Sequence, residues 1–223
     1  MVATTAAQQT TGKAKVNIGI AENHLLVQHA IQGLLRQKPA YDVVACSQTG
    51  RDTVRMVTSH ALDVLVLDID MPGSSGMDVL GEISTARPAL KTVVYSALPE
   101  AHYALPMHRL GAVAYVEKTA AVGSLVDAID DVLNGKRYFS PGILQSIEAG
   151  QPMDPTASHP KLTPREFQVF IRLAAGERVG ELARSLGLST VTVSTHRAAV
   201  LRKLQLRGNA ELTRFALEHG YIQ

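Results

Sequence analysis

Through residue 135 the chain alternates between two hydrophobic rhythms. Short, mostly uncharged runs at Val16 to Ala21, Tyr41 to Ala45, Val64 to Leu67, Thr92 to Ser96 and Ala112 to Val116 read as strands. Between them apolar residues recur at helical spacing. Val27, Ile31 and Leu34 mark one helix, and further helices are predicted at Thr53 to Ser59, Val79 to Ser84 and Tyr103 to Arg109. Leu125, Ile129 and Leu133 mark the last, which Asn134-Gly135 stops. Five strand–helix units predict an α/β domain with a doubly wound, five-stranded parallel sheet covered on both faces. Ligand chemistry in such sheets lies at the carboxyl ends of the strands.

The rhythm stops at residues 136–160. "GQPMDPTASHP" has three prolines and little apolar content, and reads as a linker. From residue 161 only helices are predicted. "LTPREFQVF" opens with a capping box, Thr163 as N-cap, Pro164 at the first helical position and Glu166 at the third, and that helix ends at Gly176. "VGELARSLGLSTVTVSTHRAAVLRKL" holds two helices with a tight turn at Gly187-Leu188-Ser189. Small Ala183 lets the helices approach, Ser189 caps the second, and Val193 points inward. This is a helix-turn-helix spacing, with Thr190 to Leu204 as the recognition helix. A fourth helix runs from Asn209 to His219. Residues 1–14 are small and polar, without the apolar core of a signal peptide, and read as a disordered tail. The expected organisation is therefore tail 1–14, α/β domain 15–135, linker 136–160 and all-α four-helix domain 161–223.

Charge separates the two domains. Residues 15–135 carry nine Lys/Arg against thirteen Asp/Glu, net −4, whereas residues 161–223 carry ten against five, net +5. A basic helix-turn-helix domain points to double-stranded DNA as partner. Cys46 is the only cysteine, so no internal disulfide is expected and a reducing cytoplasm is the expected location. No apolar run approaches a membrane span, so no membrane partner is expected. The eight histidines show no ligand-like spacing, and no zinc site is expected from them.

"VLVLDIDMPG" (64–73) places Asp68 and Asp70 just past the central strand. Glu22-Asn23 follow the first strand, Ser96 ends the fourth, and Lys118 comes just after the fifth. Acid, hydroxyl and amine from four strand ends would converge on one crevice. That collection suits transfer of a phosphoryl group to a carboxylate, with Mg2+ and the amine shielding phosphate oxygens.

These residues carry a resemblance. Residues 15–135, with "VLVLDIDMPG" and "GAVAYVEK", resemble a CheY-type, flavodoxin-like receiver domain. Residues 161–223, with "LTPREFQVFIRLAAG…ELARSLGLSTVTVSTHRAAVLRKL", resemble the LuxR-type DNA-binding domain. Together they look like a NarL/LuxR-type response regulator of a two-component system, a transcription factor rather than an enzyme. The resemblance implies Asp68 as the phosphorylated residue, Ser96 and Lys118 as the catalytic hydroxyl and amine, and Tyr115 as a switch aromatic that turns inward. It implies a Mg2+ site at Glu22, Asn23, Asp68 and the Asp70 position, with a sensor histidine kinase as phosphoryl donor. Asn23 departs from the usual acidic pair, so Mg2+ is expected to bind weakly, and Asp70 is expected to restore the missing charge. On the recognition helix, Ser194, Thr195 and Ala198 are expected nearest the bases, and Thr192, His196, Arg197, Arg202 and Lys203 on phosphates. Leu212 and Phe215 of the last helix are expected to pair two copies as a homodimer. Two alternatives remain at this point. Asn23 admits a regulator that works without phosphorylation. D-x-D after a strand also opens haloacid-dehalogenase-type phosphatases, although Met71 and the elements preceding Asp68 disfavour that reading.

Overall fold

The apolar runs form strands β1 (Val16–Ala21), β2 (Tyr41–Ser47), β3 (Val64–Leu67), β4 (Lys91–Ser96) and β5 (Ala112–Glu117) of a computed structural model. It describes residues 15–71, 76–149, 162–219 and 221–222. All neighbouring strands are parallel, in the order β2-β1-β3-β4-β5. The strand order reverses at β1, so a crevice opens between the ends of β1 and β3. The intervening helices are α1 (Leu25–Leu35), α2 (Gly50–Ser59), α3 (Gly76–Ala86) and α4 (Glu100–Arg109), with α5 (Ser124–Leu133) after β5.

All four residues of β3 are buried, because the central strand is covered on both faces. Val64 and Val66 join Ile18, Ile20, Ile31 and Ile129 under α1 and α5. Leu65 and Leu67 face the other way, toward Leu80, Ile83 and Met107 of α3 and α4. α3 starts hard against the Asp68 segment. A Cβ at Gly76 would lie 2.3 Å from Ile69 Cα and 2.8 Å from the Asp68 carbonyl oxygen, so glycine alone lets the backbone pass there.

The stretch read as linker begins with ordered structure. The Tyr115 N–H donates to the Tyr138 carbonyl at 2.9 Å, and α6 (Pro141–Glu148) packs on α4. Phe139 and Ile143 are buried, which explains the difference: a few apolar residues on one side are enough to fix a short helix to an existing core. Residues 150–161, the proline-rich remainder, lie outside the described residues, as does the expected tail.

The C-terminal domain contains α7 (Pro164–Ala174), α8 (Val179–Ser185), α9 (Thr190–Leu204) and α10 (Asn209–Glu218). The capping box at Thr163 and Glu166 is present, Ser189 caps α9, and Gly187 takes the left-handed turn at φ 63°. Phe170, Leu182, Val193, Val200 and Leu212 form its core. α9 ends on Gln205 at φ 57° and ψ 36°, a left-handed cap usually given to glycine. Gln205→Gly relieves about 1–2 kcal/mol of backbone strain against about 0.5–1 kcal/mol of added chain entropy. A small rise in the domain's urea midpoint is the expected result, and a fall would show that the side chain matters more than the strain.

The two domains share one apolar core. Phe167 of α7 meets the Tyr103 ring edge-on at 5.1 Å, and Tyr221 meets His102 at 5.4 Å. No helix among the described residues is long and apolar enough to cross a membrane.

Candidate functional site

Strand register assembles the crevice. Ala21 pairs with Leu67, and the Asp68 N–H donates to the Ala21 carbonyl at 2.9 Å, so Glu22 and Asp68 emerge side by side. The Lys118 N–H donates to the Ser96 carbonyl at 2.7 Å, which ties the ends of β4 and β5 to the same place. Glu22, Asp68 and Ser96 are buried. Lys118 Nζ bridges the two acids, at 2.6 Å from Glu22 Oε2 and 2.8 Å from Asp68 Oδ2.

Burial raises the Asp68 carboxyl above its usual range. The Lys118 ammonium opposes that shift and the Glu22 carboxylate adds to it. Burial alone would lower the Lys118 ammonium, but Asp68 and Glu22 together hold it above its usual value. The result is a buried carboxylate beside a fixed cation, in a place from which much water is excluded. A transferred phosphoryl group would find its charge opposed there.

The Asn23 side-chain oxygen is buried without a hydrogen-bond partner among the described residues. An orphaned acceptor on the residue after Glu22 fits a divalent cation, which would complete it. Asp70 corrects the expectation that it restores charge at this site. Its Oδ1 accepts from Arg172 Nη1 at 3.2 Å and Gln168 Nε2 at 3.5 Å, both on α7. A docked guanidinium holds that side chain toward the other domain, while the Asp70 N–H donates to Asp68 Oδ1 at 3.0 Å. Tyr115 is inward and buried, its hydroxyl donating to the Leu98 carbonyl at 2.8 Å.

Three residues of the crevice region were missed in the sequence. Arg172 and Gln168 lie about a hundred positions from Asp70 and become neighbours only by domain docking. His24, on the other hand, sits one residue past the acidic pair, with Nδ1 3.0 Å from Glu22 Oε1. The spacing Glu-x-His was the available signal.

On the recognition helix, Ser194, Thr195 and Ala198 are exposed, and Thr192, His196 and Arg197 are half-buried. Thr195 donates its hydroxyl to the Val191 carbonyl at 3.0 Å. Arg197 Nε donates to Asn209 Oδ1 at 2.7 Å, and Lys203 pairs with Glu166 at 2.6 Å, so both are positioned by their own domain. Arg202 is exposed. Val191 is 73% exposed on the same helix. Leu212 corrects the dimer expectation. It is fully buried in its own domain, and Phe215 packs on Phe170 and His219. The outward apolar residue of α10 is Leu217.

Comparison with known proteins separates the same two regions. Residues 18–130 match the response regulator receiver domain, and residues 160–216 match the bacterial regulatory proteins of the luxR family. The chain is 30% identical to the response regulator UvrY of Escherichia coli over 92% of its own length and 95% of UvrY. It is 28% identical to the response regulator GacA of Pseudomonas aeruginosa, over 93% and 98%. Its fold resembles that of RcsB from Salmonella enterica serovar Typhimurium, solved bound to the rprA promoter with the phosphomimetic BeF3−. That match has a TM-score of 0.64 at 24% identity, covering 90% of this chain and 98% of RcsB.

Proposed function

The chain belongs to the response regulators that join a receiver domain to a LuxR-type DNA-binding domain, and from that premise we propose that phosphorylation of Asp68 controls its binding to DNA. The observation that carries the proposal is the Lys118 ammonium held between the buried carboxylates of Glu22 and Asp68. A carboxylate oxygen of Asp68 attacks the phosphorus of a phosphohistidine on a sensor kinase. The phosphorus–nitrogen bond breaks, and an acyl phosphate remains on Asp68. Lys118 faces the new negative charge, and the Ser96 hydroxyl, which now accepts from the Leu98 N–H at 3.1 Å, is the group available to a further phosphoryl oxygen. A divalent cation held by Glu22, Asn23 and Asp68 supplies additional charge shielding when bound.

The readout follows from one hydrogen bond. The Asp70 N–H bonds Asp68, and the Asp70 carboxylate holds α7 of the DNA-binding domain. A phosphoryl group on Asp68 changes the charge beside this joint and biases the domains between docked and separated arrangements. In the separated state two chains present their α9 helices to two half-sites as a homodimer. The setting is the bacterial cytoplasm.

Arg172→Ala tests the joint. The Asp70–Arg172 pair is partly solvent-screened and is worth about 1 kcal/mol, so the docked-to-separated ratio is expected to fall about fivefold. Small-angle scattering would register this as a larger radius of gyration; an unchanged radius would leave the joint to the ring contacts of Phe167 and Tyr221 and the Gln168–Asp70 hydrogen bond. The main proposal is tested with acetyl phosphate as donor and a duplex selected from random sequence as probe. Affinity is expected to change in step with the mass increase at Asp68. Full incorporation with no change in DNA binding would overturn it.

A further inference from the structure

We propose that Val191 reads DNA sequence, by seating its methyl groups against the C5-methyl of a thymine in the major groove. This rests on the reading of α9 as the helix that enters the groove, and it adds to that reading a specificity residue and the base it recognises.

The position of the side chain is the first observation. Among the described residues of the DNA-binding domain, Val191 and Leu217 are the exposed large apolar side chains, and Val191 alone of the two stands on α9. It lies on the side of the helix opposite Val193 and Val200, which are fully buried in the domain core. Ser194, Thr195 and Ala198 share the outward side. The receiver domain does not cover it, for Val191 is 73% exposed with the two domains packed together. Its own domain gains little from a valine there. A side chain branched at Cβ is a weak helix former, and these methyl groups meet water.

The surroundings of Val191 hold no group suited to the other bases. Residues 187–195 contain no Arg, Lys, Asn or Gln. Ser189 accepts the Thr192 N–H at 3.0 Å, and the Ser189 and Thr192 hydroxyls are 2.8 Å apart, so both are engaged in the helix cap. Thr195 donates its hydroxyl to the Val191 carbonyl at 3.0 Å, so its methyl is the group left for a base. Arg197 is held by Asn209 and Lys203 by Glu166. Arg202 stands about 16 Å farther along the helix axis.

The base then follows from chemistry. The acceptors of guanine are met by Arg or Lys, and the donor–acceptor pair of adenine by Asn or Gln. Thymine alone among the four presents a methyl group in the major groove. Valine offers no hydrogen bond, and covering a polar base edge with it leaves that edge unsatisfied. Against thymine it removes apolar surface from water on both sides. The domain's net charge of +5 attracts the phosphates of any sequence, so discrimination falls to contacts of this kind.

The experiment selects duplexes from random sequence with the full chain, once with acetyl phosphate and MgCl2 and once without. Each thymine of the selected half-site is then replaced by deoxyuridine, which keeps the base pair and removes only the methyl. Wild type is expected to lose about fourfold in affinity at one thymine at least, which converts to roughly 0.8 kcal/mol for one buried group of that size. Val191→Ala is expected to bind the thymine and deoxyuridine duplexes about equally, whereas Val191→Ile keeps the difference. At so exposed a position both variants are expected to melt with wild type. Deoxyuridine tolerated at every thymine, selected sites with no fixed thymine, or an equal loss in wild type and Val191→Ala would overturn the proposal. Methyl-dependent binding that is identical with and without acetyl phosphate sinks phosphorylation control alone. Binding that follows phosphorylation but ignores the methyl sinks the role of Val191 alone. Enrichment of no sequence in either state overturns both.

Discussion

Leu212→Asp is expected to unfold the C-terminal domain rather than to separate a dimer. Leu212 has no exposed surface and belongs to the same apolar core as Phe170, Val193 and Val200. Removing its side chain from a core of this kind costs about 2–5 kcal/mol. Placing a carboxylate in the same apolar space adds several more. The total is comparable to the whole stability of a small domain, about 5–15 kcal/mol. Leu217→Asp, by contrast, alters a residue that is 51% exposed and is expected to stay within about 0.5 kcal/mol of wild type. If α10 pairs two DNA-binding domains, Leu217→Asp is the change that lowers cooperative binding to two half-sites while leaving the fold intact. Circular dichroism melting of both variants decides the matter. A wild-type melt for Leu212→Asp would show that the residue is available to a partner after all.

Asp68→Asn is expected to have two consequences of opposite sense. Phosphoryl incorporation from acetyl phosphate should disappear, since an amide cannot form the acyl phosphate, and intact-mass measurement reads this directly. Stability at neutral pH should rise. Burial lifts the Asp68 carboxyl above its ordinary range, so the folded chain holds this proton to higher pH than the unfolded chain does. Stability from that difference is fully present below the unfolded value and is lost as pH rises through the folded one. Above that window the ionised carboxylate is a standing cost, and asparagine removes it. The gain in urea midpoint over wild type is therefore expected at pH 7 and should shrink as pH falls through the carboxylate range. An equal gain at pH 3 would point to packing rather than charge. Residual labelling of the variant would move the acceptor to another residue.

Much of this was legible along the chain because local patterns report local structure. β-branched runs of four to seven residues could only be buried strands in a chain whose helices alternate with them. Glu166 three positions after Thr163, and Gly187 with Ser189 after Ala183, are spacings that act within one or two turns. The crevice was legible for the same reason: in a parallel sheet every strand's carboxyl end lies on one side, so Glu22, Asp68, Ser96 and Lys118 had to meet. The structured start of residues 136–160 escaped notice because Phe139 and Ile143 are too few to set a period, and their partners on α4 and β5 are distant in sequence.

What the sequence by itself determined is the order of every element but α6, the two domains, their opposite charge and the cluster of groups around Asp68. Whether Leu212 or Leu217 faced outward was beyond it, because an amphipathic helix shows which residues share a face but not which surface covers that face. The fate of Asp70 was beyond it for a related reason. A carboxylate pairs with the nearest available cation, and Arg172 becomes the nearest only when α7 docks on the receiver. His24 likewise comes near Asp68, forty-four positions away, only because β1 and β3 end side by side. Periodicity is a property of neighbours along the chain, whereas electrostatic partnership depends on distance in space, and only tertiary packing sets that distance.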